Sequence, residues 1–211
     1  MKALVLGAGT PPPCELLQKH MHSASLVVCA DGAADWAAAR GIRPHVIVGD
    51  MDSCDAGTLR RLEEDGARVV RLQRHKDETD AQEAVDYALG AGAQEVVMLA
   101  MSGSRLDHTL ANIHLLVRIG KRGAKGLLCD AHNEVRAACS PLEISAPKGT
   151  LLSILPLTDG VRVHSLKGLM YPLNGELLRP EFPRAISNVF VEETARINLE
   201  GGWAAVFLSR D

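Results

Sequence analysis

No two cysteines of this chain are spaced C-x-x-C, and the five present (Cys14, Cys29, Cys54, Cys129 and Cys139) are scattered and odd in number. That excludes a disulfide framework and a cysteine-built zinc site, and makes a reducing cytoplasm the default compartment. No apolar run approaches the ~20 residues that cross a bilayer, so no membrane is expected as a partner. The short run from Met1 to Gly7 reads as a first strand rather than a signal peptide. Positive charge is not in excess either. The formal net charge is −3 and the pI near 6.2, which speaks against a nucleic-acid surface. A G-x-x-x-x-G-K-[ST] loop is absent, which excludes a P-loop nucleotide site. Gly7-Ala8-Gly9 does not continue as a dinucleotide fingerprint, because Pro11–Pro13 follow at once. Aromatics are scarce at seven in 211 residues, and there is no internal repeat.

What remains is ordinary globular usage, 46% hydrophobic and 23% charged. Short apolar runs at 3–6, 26–29, 46–48, 68–72, 95–99 and 126–129 predict strands. Several are apolar throughout, as strands covered on both faces are. Helical spacing at 79–90 places Ala81, Ala84, Val85, Ala88 and Leu89 on one face. The same spacing at 106–119 aligns Leu106, Leu110, Ile113 and Val117. Strands alternating with helices predict a parallel sheet. Beyond about residue 132 only short strand-like runs remain (134–137, 151–155, 161–165, 187–191, 195–199 and 204–208), separated by turn residues. The expected architecture is therefore a Rossmann-like, three-layer α/β domain over residues 1–132, followed by an all-β sandwich over 133–211.

Ligands of parallel sheets sit outside the carboxyl ends of the strands, and acids gather there. Asp31 follows the second run; Asp50 and Asp52 follow the third; Asp77 and Asp80 follow the fourth; Asp107 follows the fifth. In an extended segment Asp50 and Asp52 point the same way and can grip one cation. Converging carboxylates repel unless a cation offsets them, and an all-oxygen set suits Mg²⁺. Arg71, Arg74, His75, Lys76 and Arg105 lie beside the acids and suit a polyphosphate. Each has a plainer reading: Asp31 as a turn former, residues 71–76 as a solvated loop, His108 as a helix-start residue. Thr79-Asp80-Ala81-Gln82 is also a capping box.

The segments ADGAADW (30–36), IRPHVIVGDMDS (42–53), KDETD (76–80), GSRLDHTLAN (103–112), GLMYPL (168–173) and ISNVFV (186–191) together resemble the thiamine pyrophosphokinase family. They run in the family's order and span nearly the whole chain. The resemblance implies transfer of the β,γ-pyrophosphoryl group of ATP to the thiamine hydroxyl, releasing AMP. It implies a homodimer with active sites between the α/β domain of one subunit and the β-domain of the other. It makes Asp50, Asp52 and Asp80 the Mg²⁺ ligands, with Asp31 in the same cluster. Lys76, Asp77, Thr79, Arg105, Asp107 and His108 come to lie at nucleotide, phosphate or substrate, and Asp80 or Asp107 accepts the hydroxyl proton. Ser187 and Asn188 face the thiamine pyrimidine from the partner subunit. Trp203, Tyr171 and Phe190 are the β-domain aromatics open to a cation–π contact.

Two positions depart from the family: Asp35 stands where many relatives carry Asn, and Ser104 where a Gly often precedes the Arg. Three rivals share these motifs: a pyrophosphokinase for another alcohol such as a pterin, a metal-dependent phosphohydrolase, and a non-catalytic nucleotide sensor.

Overall fold

The structure, a computed structural model, describes residues 1–73 and 77–210. It divides into two compact units, Met1–Ala131 and His132–Asp211.

The first unit alternates β1 (Lys2–Leu6), α1 (Cys14–Met21), β2 (Leu26–Ala30), α2 (Ala33–Ala39), β3 (Val46–Gly49), α3 (Ala56–Glu64), β4 (Arg68–Arg71), α4 (Asp80–Gly90), β5 (Glu95–Leu99), α5 (Leu106–Lys121) and β6 (Lys125–Cys129). Its strands pair in parallel in the order β6-β5-β1-β2-β3-β4. The continuous apolar runs have the cause expected: both faces are covered. Leu4, Leu6, Val27, Cys29, Ile47, Val97 and Leu99 meet Leu17 of α1, Ala33, Ala34 and Ala37 of α2, and Leu59 and Leu62 of α3. Their strand neighbours Ala3, Val5, Val28, Val48, Val96 and Met98 are equally buried and point to the opposite face, where α4 crosses β1, β2 and β3. The chain winds outward from β1 to β4 and then returns to β5 on the other side of β1. The order therefore reverses at the β1/β5 boundary, and a crevice opens there.

The expected apolar face of α5 is corrected. Leu106 and Leu110 are 78% and 56% exposed, and Asn112, Leu115, Leu116 and Ile119 are the buried set. Two apolar stripes share this helix, and contact with β6 selects the second. Gly126 lies so close to Leu116 that an added Cβ would come within 2.9 Å of it. Helices α1, α2 and α3 also form at segments not assigned from sequence.

The second unit is an antiparallel sandwich. One sheet runs in the order β12-β9-β14-β7 and the other β11-β10-β13-β8. The strands are β7 (Asn133–Ala138), β8 (Leu142–Ser145), β9 (Leu151–Pro156), β10 (Val161–Lys167), β11 (Glu176–Leu178), β12 (Asn188–Val189), β13 (Thr194–Glu200) and β14 (Ala204–Ser209). Period-2 burial is cleanest in β13, where Ala195, Ile197 and Leu199 enter the core. They meet Leu152, Ile154, Val163, Leu166, Val206 and Phe190 there. The run at 187–191 is shorter than expected, two paired residues followed by an isolated bridge from Phe190 to Leu169. Phe190 is 1% exposed, so it is a core residue and is removed from the ligand-facing aromatics.

Candidate active site

A cavity of about 550 Å³ opens at the carboxyl ends of the parallel strands, wholly within the first unit. Its walls are the loops after β1, β2, β3 and β5 and the starts of α4 and α5. Among the described residues, three of the four non-glycine residues with positive φ belong to these loops: Asp31 (41°), Met51 (63°) and Ala100 (56°). Such conformations persist only where the surroundings enforce them, and they concentrate at functional sites.

Asp31, Asp50 and Asp52 converge, each placing one carboxylate oxygen within 4.8 Å of the others. They do not converge as neighbours on an extended strand. After Gly49 the backbone turns: Met51 is left-handed, and the Asp52 N–H donates to Asp50 Oδ1 at 3.1 Å. This folds the two side chains toward one point. Gly49 permits the approach, since an added Cβ would stand 2.7 Å from the Asp31 Cβ. The Ser53 N–H donates to Asp31 Oδ2 at 3.2 Å. Asp31 Oδ1 is buried and has no hydrogen-bond partner among the described residues. Burial raises the Asp31 pKa above the usual carboxylate range; the Ser53 N–H opposes this, and the charges of Asp80, Asp50 and Asp52 raise it further. A buried carboxylate with an orphan oxygen facing two more carboxylates is costly unless a cation completes it. An all-oxygen donor set of this kind fits Mg²⁺.

Asp80 opens α4 and lines the same cavity. Thr79 is the helix N-cap, its Oγ1 accepting from the Gln82 N–H at 3.2 Å, which is the N-cap half of the expected capping box. Arg105 and His108 line the cavity from the start of α5. Asp107 does not line it; Asp107 is paired with Arg105, at 2.5 Å from Nη2 and 3.2 Å from Nε. Hydrogen bonding from the Arg105 guanidinium lowers the exposed Asp107 carboxyl to about 2. Asp77 is exposed and outside the lining. Lys76, with Arg74 and His75, lies outside the described residues.

Sequence reading passed over part of the wall. Gly7, Ala8 and Gly9 form one side, joined to the loop after β5 by hydrogen bonds from the Gly7, Gly9 and Thr10 N–H groups to the carbonyls of Leu99, Ala100 and Ser102 (2.9, 2.8 and 2.8 Å). Asn112 also lines it, buried, with Nδ2 donating to the Met101 carbonyl at 2.8 Å. The available signal was topological. Loops after the first and fifth strands flank the point where strand order reverses, whatever their motif.

In the second unit Ser187 is exposed in a left-handed conformation (φ 56°), its N–H donating to Ser153 Oγ. Asn188 is buried. Its Nδ2 donates to the Tyr171 carbonyl at 2.6 Å, and its Oδ1 accepts from the Tyr171 N–H at 2.9 Å. The amide is thus engaged on both sides in clamping the backbone of Tyr171, a residue 60% exposed. The Asn188 amide, expected to face a ligand, is occupied here by the backbone of Tyr171 and by the Val189 N–H. Asn188→Ala leaves both Tyr171 backbone groups without this partner; a loss of about 1–3 kcal/mol in denaturant unfolding is expected. Trp203 is half-buried, and its N–H donates to Thr158 Oγ1.

A parallel α/β unit with clustered carboxylates and helix starts at its carboxyl rim, joined to a β-sandwich, defines a class: a two-domain α/β protein whose acidic cleft suits a metal and phosphate groups. The chain belongs to the thiamin pyrophosphokinase family. Residues 17–128 match the family's "Thiamin pyrophosphokinase, catalytic domain" and residues 141–203 its "vitamin B1 binding domain". It is similar to a thiamine pyrophosphokinase of Bacillus subtilis, 29% identical over 174 residues covering 81% of each chain. A rice relative, thiamine pyrophosphokinase 1, is 26% identical over 199 residues, 82% of this chain and 75% of that one. The solved Bacillus subtilis enzyme shares the fold with a TM-score of 0.87 at 24% identity over all of both chains. The Candida albicans enzyme does so with 0.86 at 16% identity, over all of this chain and 89% of its own.

Proposed function

We propose that the cavity of the first unit transfers the β,γ-pyrophosphoryl group of ATP to the hydroxyl of thiamine, giving thiamine diphosphate and AMP. One observation carries this reading: a buried, orphaned carboxylate oxygen on Asp31 beside Asp50 and Asp52 at the switch point of a parallel sheet. Asp50, Asp52 and Asp80 would hold Mg²⁺, with Asp31 converging on Asp50 and Asp52 at the same point. The bound ion supplies charge neutralisation for the phosphate oxygens. Phosphoryl transfer asks the protein mainly for alignment and charge balance. The N-terminus of α4, capped by Thr79, presents backbone N–H groups to a phosphate. Arg105, His108 and Lys76 hold further oxygens. Asp80, which lines the cavity, is better placed to take the thiamine proton than Asp107, which lies outside the lining and is paired with Arg105.

Thiamine is a flat cation, and Tyr171 and Trp203 remain as aromatic partners, with Ser187 beside Tyr171. The chain works as a homodimer whose active sites lie between the first unit of one subunit and the second unit of the other. Exposed Leu106 and Leu110 in one unit, and exposed Met170, Tyr171, Phe182 and Ile186 in the other, support a covering partner. The cytoplasm is the compartment that suits five free cysteines; no helix of the described residues is long and apolar enough to cross a membrane.

Purified protein with Mg·ATP and thiamine, analysed by mass, tests the reading. AMP and thiamine diphosphate are expected in equal amounts. AMP with free pyrophosphate would make it a phosphohydrolase, and bound ATP without AMP release a sensor.

A further inference from the structure

We propose that Asp35 is a positioning residue for the cation site: it fixes the far end of the loop that carries Asp50 and Asp52, so that the loop is set before any ion arrives. The loop runs from Gly49 at the end of β3 to Asp55, the N-cap of α3, whose Oδ1 accepts from the Thr58 N–H at 2.8 Å. Its near end is fixed by pairing of β3 with β2 and β4. Its middle is held by Asp31, through the Ser53 N–H. Its far end is held by Asp35, whose two oxygens accept from the Asp55 N–H at 3.2 and 3.0 Å, and Oδ1 also from the Cys54 thiol at 3.6 Å.

Asp31 and Asp35 are four residues apart, at the end of β2 and in the first turn of α2. Two carboxylates of one segment therefore grip alternate N–H groups of the loop, Ser53 and Asp55. The left-handed Met51 and the turn from Asp50 to Asp52 lie between the end of β3 at Gly49 and the first of these anchors, at Ser53, and the Asp55 anchor holds the chain that leaves it. Asparagine at 35 would offer a single acceptor oxygen to a site where both oxygens are used, and would carry no charge. Asp35 itself is not one of the carboxylates converging on the cation point; it acts through the loop.

The inference rests on the metal reading above, and the experiment separates the two. Mn²⁺ serves as the probe, its dissociation constant measured on the folded full-length protein by electron paramagnetic resonance, with thermal midpoints recorded without metal. Asp52→Asn, which removes a proposed ligand charge, is expected to bind Mn²⁺ at least ~100-fold more weakly. Asp35→Ala is expected to weaken binding by roughly 10-fold, the low end of what loss of a ligand-orienting partner costs. Asp35→Asn keeps one acceptor and is expected to fall between wild type and Asp35→Ala. A purely structural role would lower the midpoint and leave the dissociation constant of the folded protein unchanged, which overturns the proposal. Equal weakening in Asp35→Asn and Asp35→Ala also overturns it, because charge alone would then account for the effect. If Asp35→Ala does not fold, Asp35→Asn decides: wild-type affinity there counts against positioning. Wild-type Mn²⁺ affinity in Asp52→Asn sinks the metal reading itself.

Discussion

Asp31→Asn is expected to lose about 10²–10³-fold in kcat, which is roughly 3–4 kcal/mol of transition-state stabilisation, while the metal-free protein becomes more stable. Asparagine is the informative replacement because it tolerates the left-handed backbone that Asp31 adopts at φ 41°. It also keeps an acceptor for the Ser53 N–H and turns an amide donor toward Asp50 and Asp52. What it removes is the charge. In the wild type that charge is buried and repelled by three other carboxylates, and the folded-state pKa is accordingly raised. The sign follows. A carboxyl that holds its proton more tightly folded than unfolded favours folding below the ordinary carboxylate pKa of ~4. That contribution is lost as pH rises through the elevated folded value. At neutral pH the metal-free wild type bears the cost and the variant does not, so the variant should melt higher; below the ordinary value the difference should close. Saturating Mg²⁺ should reverse the order at neutral pH by stabilising the wild type alone. Differential scanning calorimetry across pH, with and without Mg²⁺, checks each part. A variant that melts at or below the metal-free wild type at neutral pH would remove the charge-repulsion account.

The same residue shows where sequence reading stops. Asp31, Asp50, Asp52 and Asp80 could be placed at one sheet edge because acids followed apolar runs, and the alternation of runs and helical spacing already implied parallel strands. The manner of convergence was not legible. It depends on a left-handed Met51, on Gly49 standing against Asp31 and on a hydrogen bond across 22 residues from Ser53, none of which has a periodic signature. For α5 the sequence offered two apolar stripes, and only contact with β6 chose between them. Asn188 read as a polar group facing a ligand; its partner Tyr171 is 17 residues away, brought close by the isolated bridge from Leu169 to Phe190 and the Met170 N–H bond to the Val189 carbonyl. Arg105 and Asp107 looked like two independent functional groups, yet two residues apart at a helix start they form an exposed ion pair.

Gly9→Ala is expected to collapse the wall of the cavity that carried no motif. The loops after β1 and β5 run side by side, and an added Cβ at Gly9 would sit 2.6 Å from the Ala100 carbonyl oxygen and closer still to that of Ser102. Both obstacles are backbone, so neither can rotate aside. Ala100 is already left-handed at φ 56°, which leaves that loop little room to yield. Relief requires breaking the hydrogen bonds from Gly9 and Thr10 to these carbonyls. Overpacking of this kind costs about 1–3 kcal/mol, and the displaced segment is part of the cavity lining. Stability and turnover should therefore fall together, with kcat/KM for the nucleotide reduced by about 10-fold or more, since small misplacements at a reacting centre are expensive. Gly103→Ala is the control. It lies in the same wall, but its added Cβ would meet Gly9 and Thr10 no closer than 3.6 Å, an ordinary contact, and its melting temperature should match wild type. Urea unfolding with steady-state kinetics on both variants decides the matter. Wild-type behaviour of Gly9→Ala would mean that the two loops move apart freely and do not form a fixed wall.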